Sequence, residues 1–328
     1  MISLSALMTP ARAEDVCSPA TRHWLESTFS VRWGSTELGV EEVADLVTGA
    51  DVVLSSWGTP HLDTTLLTAG RTPKTVAHAA GSVKRLVDLD AMAAGTTVFS
   101  AGERIALSVG EYCLGAILTL LRRLPQLDRA LRDGGWKQPR LRGSELTGRT
   151  VGLVGASSTA RALIRLLQPF AVDLLVFDPY LTAERAGALG VRRASLIEVM
   201  DADIISLHVP STPETEGLIG ADLIARIRPG TILVNSARAA TLDGPALTEA
   251  ILEGRILAAL DVFQPEPPTL SAELRAAPNV LLTPHVAGDT IQGHADLSRF
   301  VMADVEAWLR DGTRGTSYVD PARLAVSA

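Results

Sequence analysis

Residues 147–167 read TGRTVGLVGASSTARALIRLL, and they are the strongest indicator of the fold. Its first part, TVGLVG, is an unbroken apolar run of the kind found in buried parallel strands. Its last part, ARALIRLL, has apolar residues at the i, i+3 and i+4 spacing of an amphipathic helix. A strand, a short glycine-containing turn and a helix in this order predict the opening unit of a domain that binds a dinucleotide at the turn.

The turn, GASSTA, keeps one of the three glycines that such turns usually carry. Gly155 holds the first position. Ser157 stands at the second, where the backbone must approach a diphosphate, and Ala160 stands at the third, where alanine is an accepted substitute. The helix N-terminus still offers free N–H groups to an anion. We therefore predict cofactor contacts at Gly155, Ser157, Ser158 and Thr159, with an ordinary strand–helix turn and a serine cap as the alternative.

An acidic residue follows the next predicted strand. Asp178 lies 23 residues after Gly155, where a carboxylate binds the ribose hydroxyls of NAD. The same negative charge would repel the 2′-phosphate of NADP, so the sequence predicts NAD as the cofactor. A simple turn residue before Pro179 is the alternative interpretation of Asp178.

Beyond this unit, the chain alternates apolar runs with amphipathic segments. The further runs occupy residues 173–177, 203–207, 231–234, 256–260 and 280–282. Strand, helix and strand in repetition predict a doubly wound parallel sheet. Ligands bind such sheets at the carboxyl ends of the strands.

A shorter version of the same pattern comes first in the chain. Candidate strands at residues 51–54, 75–78 and 97–99 alternate with candidate helices at residues 64–69 and 89–94. Two long helical patterns, 109–124 and 291–309, flank the larger domain. We predict an α/β protein with two Rossmann-like, doubly wound parallel-sheet domains. The smaller, flavodoxin-like substrate domain is discontinuous, at residues 1–110 and 291–328, and the dinucleotide-binding domain occupies residues 111–290.

Three chemically reactive residues follow strand-like runs in the last third of the chain. Arg238 ends LVNSAR, Glu266 lies in LDVFQPEP and His285 lies in VLLTPH. A guanidinium that binds a carboxylate, a titratable carboxyl and an imidazole suit hydride and proton transfer at a 2-oxo acid. Each residue alone has an ordinary explanation: a surface ion pair, a turn between prolines and a structural histidine. Their order beside a dinucleotide pattern favours a catalytic set.

Bulk composition narrows the class of protein. With 328 residues, of which 47% are hydrophobic and 20% charged, the chain has the profile of a globular protein with two domains. A net charge of −7 without a basic block argues against a nucleic-acid partner. Cys17 and Cys113 are too few and too far apart for a disulfide framework or a zinc site, so we expect no metal and a reducing cytoplasm. No charge-free apolar run reaches about 18 residues, so we expect no membrane span, and the opening residues predict a first strand rather than a signal peptide.

With these residues in place, the chain closely resembles the D-isomer-specific 2-hydroxyacid dehydrogenase family, which includes glycerate dehydrogenases, hydroxypyruvate reductases and phosphoglycerate dehydrogenases. The resemblance implies a two-domain fold, a homodimer packed through the larger domain, and NAD-dependent interconversion of a small 2-oxo acid and its D-2-hydroxy acid. Hydroxypyruvate and glyoxylate are the substrates that it suggests. The stretches that carry the resemblance are TGRTVGLVG, VFDPY, ISLHVPSTPETEGLIG, LVNSAR, ALDVFQPEP and NVLLTPHVAG.

The resemblance also implies roles for individual residues. Arg238 matches the arginine that binds the substrate, Glu266 the catalytic acid and His285 the proton donor. Gly81 and Ser82, in the stretch AAGSVK, match the loop whose N–H groups hold the substrate carboxylate. The positions that match the cofactor-lining segments are Val209, Pro210, Ser236, Ala237, Asp261, Ala287 and Gly288.

This chain departs from the family pattern at two loops. The dinucleotide turn lacks two glycines, and Ser158 and Thr159 replace a common Arg-Ile pair. The substrate loop has Ser82, Val83 and Lys84 where a Gly-Val-Gly pattern is usual. These departures keep a second function open, that of a dinucleotide-binding regulatory or scaffold protein with little or no turnover. Oxidation of NADH in the presence of a panel of 2-oxo acids separates the two functions.

Overall fold

The computed structural model describes residues 1–69 and 74–324. The chain forms two compact units: unit 1 contains Met1–Ile105 and Asp289–Ala328, and unit 2 contains Ala106–Gly288. Unit 1 is therefore discontinuous, since the whole of unit 2 is inserted into its chain. The sequence pattern predicts the corresponding divisions between residues 110 and 111 and between residues 290 and 291.

Unit 1 is built on a parallel sheet of five strands. They are β1 (Ser3–Leu7), β2 (Ser30–Trp33), β3 (Val52–Ser55), β4 (Thr75–His78) and β5 (Thr97–Ser100). Their order across the sheet is β2-β1-β3-β4-β5, and every pair is parallel. Val52 and Leu54 pack into one core and Val53 into another, because successive side chains of a strand point to opposite faces.

Helices pack on both faces of this sheet. They are α1 (Pro10–Val16), α2 (Pro19–Thr28), α3 (Val40–Thr48), α4 (Thr64–Thr68) and α5 (Leu89–Ala93), and α6 (Gly102–Leu121) continues from unit 1 into unit 2. Local sequence sets several of their starts. The side chains of Thr9, Ser18 and Asp63 accept N–H bonds at the first turns of α1, α2 and α4, as N-cap residues do.

Unit 2 contains a parallel sheet of seven strands. They are β6 (Thr150–Val154), β7 (Asp173–Phe177), β8 (Arg192–Arg193), β9 (Ile204–Leu207), β10 (Ile232–Asn235), β11 (Leu257–Leu260) and β12 (Val280–Leu282). The order across the sheet is β12-β11-β10-β9-β6-β7-β8. After β6 the chain adds β7 and β8 on one side, and it then adds β9 to β12 on the other side, so the strand order reverses beside β6. In such sheets, ligands bind outside the carboxyl ends of the strands at this reversal.

Seven helices of unit 2 connect these strands or precede them. They are α7 (Leu124–Arg132), α8 (Ser158–Leu167), α9 (Ala183–Leu189), α10 (Leu196–Met200), α11 (Ala221–Arg226), α12 (Gly244–Leu252) and α13 (Ala272–Ala276), with short 3-10 turns at Pro139–Leu141, Gln168–Phe170 and Ala239–Thr241. Met200, Ile224 and Ile251 of three of these helices belong to the same core as Ile205 and Leu233 of the sheet. The sheet is thus buried by its own connections, as in other doubly wound folds.

The chain returns to unit 1 as α14 (Ile291–Ala295), α15 (Leu297–Asp311) and α16 (Pro321–Leu324). Val301 and Met302 of α15 pack in the core that contains Phe99 of β5. These parallel sheets with their covering helices confirm the predicted α/β fold class.

Two predicted long helices differ from the structure. The pattern at residues 291–309 forms α14 and α15, which meet at Asp296. The pattern at residues 109–124 begins earlier, at Gly102, and ends at Leu121, and α7 starts as a separate helix at Leu124. The chain breaks there because Arg123 has a left-handed φ of 51° and Pro125, at the start of α7, cannot donate the N–H bond that a continuous helix needs.

One helix of the described residues, α6, is long and apolar enough to cross a membrane by length and composition alone. Half of its apolar window is buried within the protein. A core helix passes the same test, so this property by itself does not assign α6 to a membrane.

Candidate active site

The three predicted catalytic residues follow three neighbouring strands of unit 2. β10, β11 and β12 lie side by side, run parallel and end in register. The carboxyl ends of parallel strands meet at one edge of a sheet, so the loops with Arg238, Glu266 and His285 begin at that edge.

Glu266 and His285 form a hydrogen-bonded pair. Nδ1 of His285 lies 2.8 Å from Oε2 of Glu266, and the backbone N–H of Phe263 donates to Oε1 at 3.0 Å. Burial acts to raise the pKa of Glu266, but the hydrogen bonds from His285 and Phe263, together with nearby positive charge, outweigh it and lower this pKa. Glu266 is therefore ionised at neutral pH and orients the His285 ring through Nδ1, which leaves Nε2 for another partner.

Arg238 lies in a turn that hydrogen bonds hold in place. The side-chain amide of Asn235 and the hydroxyl of Thr241 donate to the carbonyl of Arg238, at 3.0 and 2.7 Å. Nη1 of Arg238 donates to the carbonyl of Ala237 at 2.6 Å. The charge of Arg238 contributes to the lowered pKa of Glu266, so the guanidinium acts on the carboxylate that orients the histidine. The structure thus brings the three predicted catalytic residues to one edge of the unit 2 sheet.

His285 has an unusual backbone conformation. Its φ of 57° lies in the left-handed region, which costs a residue other than glycine about 1–2 kcal/mol. Asp261, which is fully buried, holds the loop in this shape. Its carboxylate accepts the N–H groups of Val286 and Ala287, each at 2.9 Å, and its carbonyl accepts the N–H of His285 at 2.8 Å. Asp261, which matches a cofactor-lining position of the family, therefore also anchors the histidine loop.

Two residues that the sequence did not single out extend this anchor, Thr283 by direct contact with Asp261 and Tyr112 through Thr283. The hydroxyl of Thr283 donates to Oδ1 of Asp261 at 2.6 Å, and the hydroxyl of Tyr112, on α6, lies 2.7 Å from that of Thr283. Thr283 stands two positions before His285, which is a local signal that sequence reasoning could have used. Tyr112 is 171 positions away from Thr283, and no local pattern connects the two.

The predicted cofactor turn follows β6. Gly155 has a φ of 98°, and a Cβ at this position would lie 2.8 Å from the carbonyl oxygen of His208, so only glycine fits. α8 begins directly after its N-cap, Ser157. The first N–H groups of a helix have no acceptor within the helix, and they carry the positive end of its dipole. The turn therefore fits a diphosphate, which binds at such helix ends.

A series of polar side chains connects this turn to β9. The hydroxyls of Ser157 and Thr159 are 3.0 Å apart, and the Thr159 hydroxyl lies 2.9 Å from Nδ1 of His208. Nε2 of His208 lies 2.9 Å from the hydroxyl of Ser206. Burial lowers the pKa of His208 to about 3, so this ring is neutral. Its two nitrogens join Thr159 of the turn to Ser206 of β9. Ser157 and Thr159, which depart from the family pattern, thus have partners that fix the turn.

Asp178 follows β7, next to the same turn. Its Oδ2 accepts the N–H of Ala156 and its Oδ1 accepts the N–H of Tyr180, both at 2.7 Å. These two bonds fix the carboxylate beside the turn, and each oxygen keeps acceptor capacity for a ribose hydroxyl. The placement fits the predicted contact with NAD.

The remaining predicted cofactor positions lie at the same edge of the unit 2 sheet. Val209 and Pro210 follow β9, Ser236 and Ala237 follow β10, and Ala287 and Gly288 lie in the loop after β12. The Ser236 hydroxyl lies 3.2 Å from the thiol of Cys113, which is buried and whose pKa burial raises to about 11. The contacts of these positions with a cofactor stay predictions.

The two predicted substrate-loop residues belong to unit 1. Gly81 and Ser82 follow β4, at the carboxyl end of the unit 1 sheet. The Ser100 hydroxyl donates to the carbonyl of Gly81, and the Ser82 hydroxyl accepts the N–H of Lys84 at 3.4 Å. Their role in substrate binding stays a prediction. In neither unit do the described residues form a group of three or more His, Cys, Asp or Glu side chains that could hold a metal ion.

Comparison with known proteins identifies the family. The family profile described as "D-isomer specific 2-hydroxyacid dehydrogenase, NAD binding domain" matches residues 114–287, which is more than half of the chain. The chain therefore belongs to the D-isomer specific 2-hydroxyacid dehydrogenase family, as its motifs predict. The dinucleotide of this domain is NAD, in agreement with the acidic residue after β7.

Among curated relatives, the chain is similar to the D-3-phosphoglycerate dehydrogenase of Mycobacterium bovis, with 35% identity over 281 residues, which cover 85% of this chain and 52% of that protein. The chain spans about half the length of the curated relatives that it matches. A solved structure of Escherichia coli D-lactate dehydrogenase gives a TM-score of 0.69 at 26% identity and covers 98% of this chain and 100% of that one. A phosphoglycerate oxidoreductase from Rhizobium etli, at 23% identity, shows the same fold with a TM-score of 0.84 and covers 97% of this chain and 98% of that one.

Proposed function

We propose that the protein is an NAD(H)-dependent oxidoreductase that interconverts a small 2-oxo acid and its D-2-hydroxy acid. The observation that carries this proposal is the Glu266–His285 pair, with 2.8 Å between Oε2 and Nδ1, in a domain that belongs to an NAD-binding family. An imidazole oriented by a carboxylate is a common form of general acid–base group. Arg238, on the same sheet edge, adds the positive charge that an acid substrate needs.

Each residue has a distinct role in the proposed reaction. Arg238 pairs with the substrate carboxylate and polarises the carbonyl, because a planar guanidinium can bind a carboxylate through two parallel hydrogen bonds. Bound NADH supplies the hydride that C2 accepts. His285 gives the proton on Nε2 to the developing alkoxide. Glu266 stabilises the charged imidazolium until that transfer.

The substrate test uses NADH with glyoxylate, hydroxypyruvate, pyruvate and bulkier 2-oxo acids, and it follows the absorbance of the reduced nicotinamide. D-3-phosphoglycerate is added in the oxidative direction, because curated relatives carry that name. Turnover of at least one small acid is the expected result. Tight NADH binding without turnover of any acid would instead favour the regulatory or scaffold function.

The role of His285 is tested by its replacement with glutamine. His285→Gln should lower kcat by ~10²-fold or more, because general acid catalysis typically contributes that much. NADH binding, measured by fluorescence titration, should stay unchanged. His23→Gln, which alters an exposed histidine of α2 in unit 1, is the matched control. Near-normal turnover of His285→Gln would remove His285 from the mechanism.

The pairing with Glu266 predicts a loss of turnover when the carboxylate is removed. Glu266→Gln replaces the charged acceptor that orients the His285 ring through Nδ1, so kcat for 2-oxo acid reduction should fall by about 10-fold. NADH affinity, measured by fluorescence titration, should stay that of the wild type. A kcat equal to that of the wild type would contradict the pairing.

A homodimer packed through unit 2 and a cytoplasmic location complete the proposal. Every side chain of α7 is at least partly exposed in the single chain. Leu124 and Leu131 of this helix are 51% and 58% exposed, and Trp136, which follows the helix, is 75% exposed. Apolar side chains grouped on a surface often mark a contact with another chain. Both cysteines are free thiols, which suits a reducing compartment. Sedimentation should give a dimer for the wild type and a monomer for Leu131→Glu, and a monomeric wild type would contradict the dimer.

A further inference from the structure

We infer that Tyr112 and Thr283 are positioning residues for His285. They act through Asp261, in a relay of hydrogen bonds from α6 to the loop that carries the imidazole. The inference rests on the proposed catalytic function of His285 and extends the site to two residues that do not touch the substrate. All four residues belong to unit 2.

The donors and acceptors of the relay have one consistent arrangement. The carboxylate of Asp261 can only accept, so the Thr283 hydroxyl gives its single proton to Oδ1 over 2.6 Å. The Thr283 oxygen is then the acceptor for the Tyr112 hydroxyl over 2.7 Å. Burial raises the pKa of Tyr112 to about 12, so the phenol keeps the proton that it must donate.

Asp261 transmits this arrangement to the histidine loop. Its side chain is 0% exposed, and a buried carboxylate is stable only when several donors surround it. Two of these donors are the N–H groups of Val286 and Ala287, each at 2.9 Å, and Thr283 is the third. When the Thr283 donor is weakened or lost, the carboxylate can shift toward other partners, and its hold on the two residues after His285 weakens.

The φ of His285 makes the loop sensitive to such a change. A side-chain-bearing residue keeps a φ of 57° only while the surrounding contacts impose it. The N–H of His285 itself donates to the carbonyl of Asp261 at 2.8 Å, so this anchor holds the loop at three consecutive amides. A looser loop would let the imidazole leave the orientation in which Nε2 faces its partner, while the dinucleotide turn after β6 stays as it is.

The first experiment measures how well the backbone amides of the histidine loop are protected from exchange, and it needs no turnover. Hydrogen–deuterium exchange of the segment 283–288 is compared in the wild type, Tyr112→Phe and Thr119→Val. Thr119 lies two helical turns further along α6 and lines the same surface groove as Tyr112, so its substitution removes a hydroxyl from the same helix face outside the relay. The amides of Val286 and Ala287 should exchange about 10-fold faster in Tyr112→Phe, through local opening, and at the wild-type rate in Thr119→Val. Equal protection in Tyr112→Phe and the wild type would overturn the inference, whatever substrate the protein uses.

The second experiment measures catalysis. Tyr112→Phe should lower kcat by about 10-fold, because a small displacement of a catalytic group has an effect of this order, and should leave the KM for NADH within about two-fold of the wild type. Thr283→Val should lower kcat further, and Thr283→Ser, which keeps the hydroxyl, should retain most of the activity. The double variant Tyr112→Phe/Thr283→Val should be no slower than Thr283→Val alone, because Tyr112 acts through Thr283.

Multiplicative losses in the double variant would overturn the relay, and so would a kcat of Tyr112→Phe equal to that of the wild type. A Thr283→Ser variant as slow as Thr283→Val would also overturn it, since the hydroxyl would then be irrelevant. A wild-type protein that reduces no 2-oxo acid would refute the proposed function, and the exchange measurement would still decide whether the relay holds the loop.

Discussion

Replacing Gly155 with alanine tests how the dinucleotide turn is built. The backbone of Gly155 has a φ of 98°, which alanine rarely adopts. An added Cβ would also lie 2.8 Å from the carbonyl oxygen of His208 and 2.9 Å from its carbonyl carbon. Carbon atoms do not approach backbone atoms this closely, so either the turn or the end of β9 has to move.

These two effects set the magnitude. A left-handed φ costs a residue with a Cβ about 1–2 kcal/mol. Overpacking that displaces backbone costs typically about 1–3 kcal/mol. Gly155→Ala should therefore lower the free energy of unfolding by about 2–5 kcal/mol, a large share of the ~5–15 kcal/mol that stabilises a typical protein. The shift also displaces the first turn of α8, so NADH affinity should fall together with stability.

Gly230→Ala separates the cost of the backbone conformation from the cost of the steric overlap with His208. Gly230, also in unit 2, has a φ of 85°, and none of the described atoms lies within 4 Å of the Cβ that alanine would add. This variant should lose only about 1–2 kcal/mol and keep its NADH affinity. Urea unfolding followed by circular dichroism gives the stabilities, and fluorescence titration gives the NADH affinities. If Gly155→Ala is no less stable than Gly230→Ala, the reasoning from the His208 contact is wrong.

Three further predictions concern stability and reactivity. Burial lowers the pKa of His78 to about 4 and that of His208 to about 3, from 6.5, so the unfolded chain binds protons that the folded protein does not. The free energy of unfolding should therefore decrease as the pH falls from about 6.5 toward 4, and His78→Gln should weaken this dependence. Wild-type urea midpoints that do not change with pH would contradict the lowered pKa values of the two histidines. Burial also raises the pKa of Cys17 and of Cys113 to about 11, so a thiol reagent should label both only after unfolding, and rapid labelling of the native protein would show that a thiol is accessible. Ser195→Ala removes the capping box with Glu198 at the start of α10 and should cost about 1 kcal/mol in urea unfolding, whereas an unchanged midpoint would mean that the cap does not stabilise α10 in the folded protein.

Much of the unit 2 sheet could be predicted because each buried strand is a short apolar run. The runs at residues 173–177 and 280–282 are β7 and β12 with the same bounds, and the others differ by one residue at one or both ends. In unit 1, the sequence pattern does not predict β2. Its residues alternate between exposed and partly buried positions at the sheet edge, so no continuous apolar run marks it.

The amino-acid sequence alone shows which residues follow the apolar strands, and it therefore predicts that Arg238, Glu266, His285 and the GASSTA turn come to the carboxyl edge of one parallel sheet. This information is local, since an apolar run and the few residues after it are read together. The folded structure adds three features that the sequence does not reveal: the left-handed backbone of His285, the contact of Thr159 with His208, and the bonds that join Tyr112 and Thr283 to Asp261. These depend on side chains from distant segments meeting within about 3 Å, and the direction and length of such bonds are set by packing rather than by local sequence.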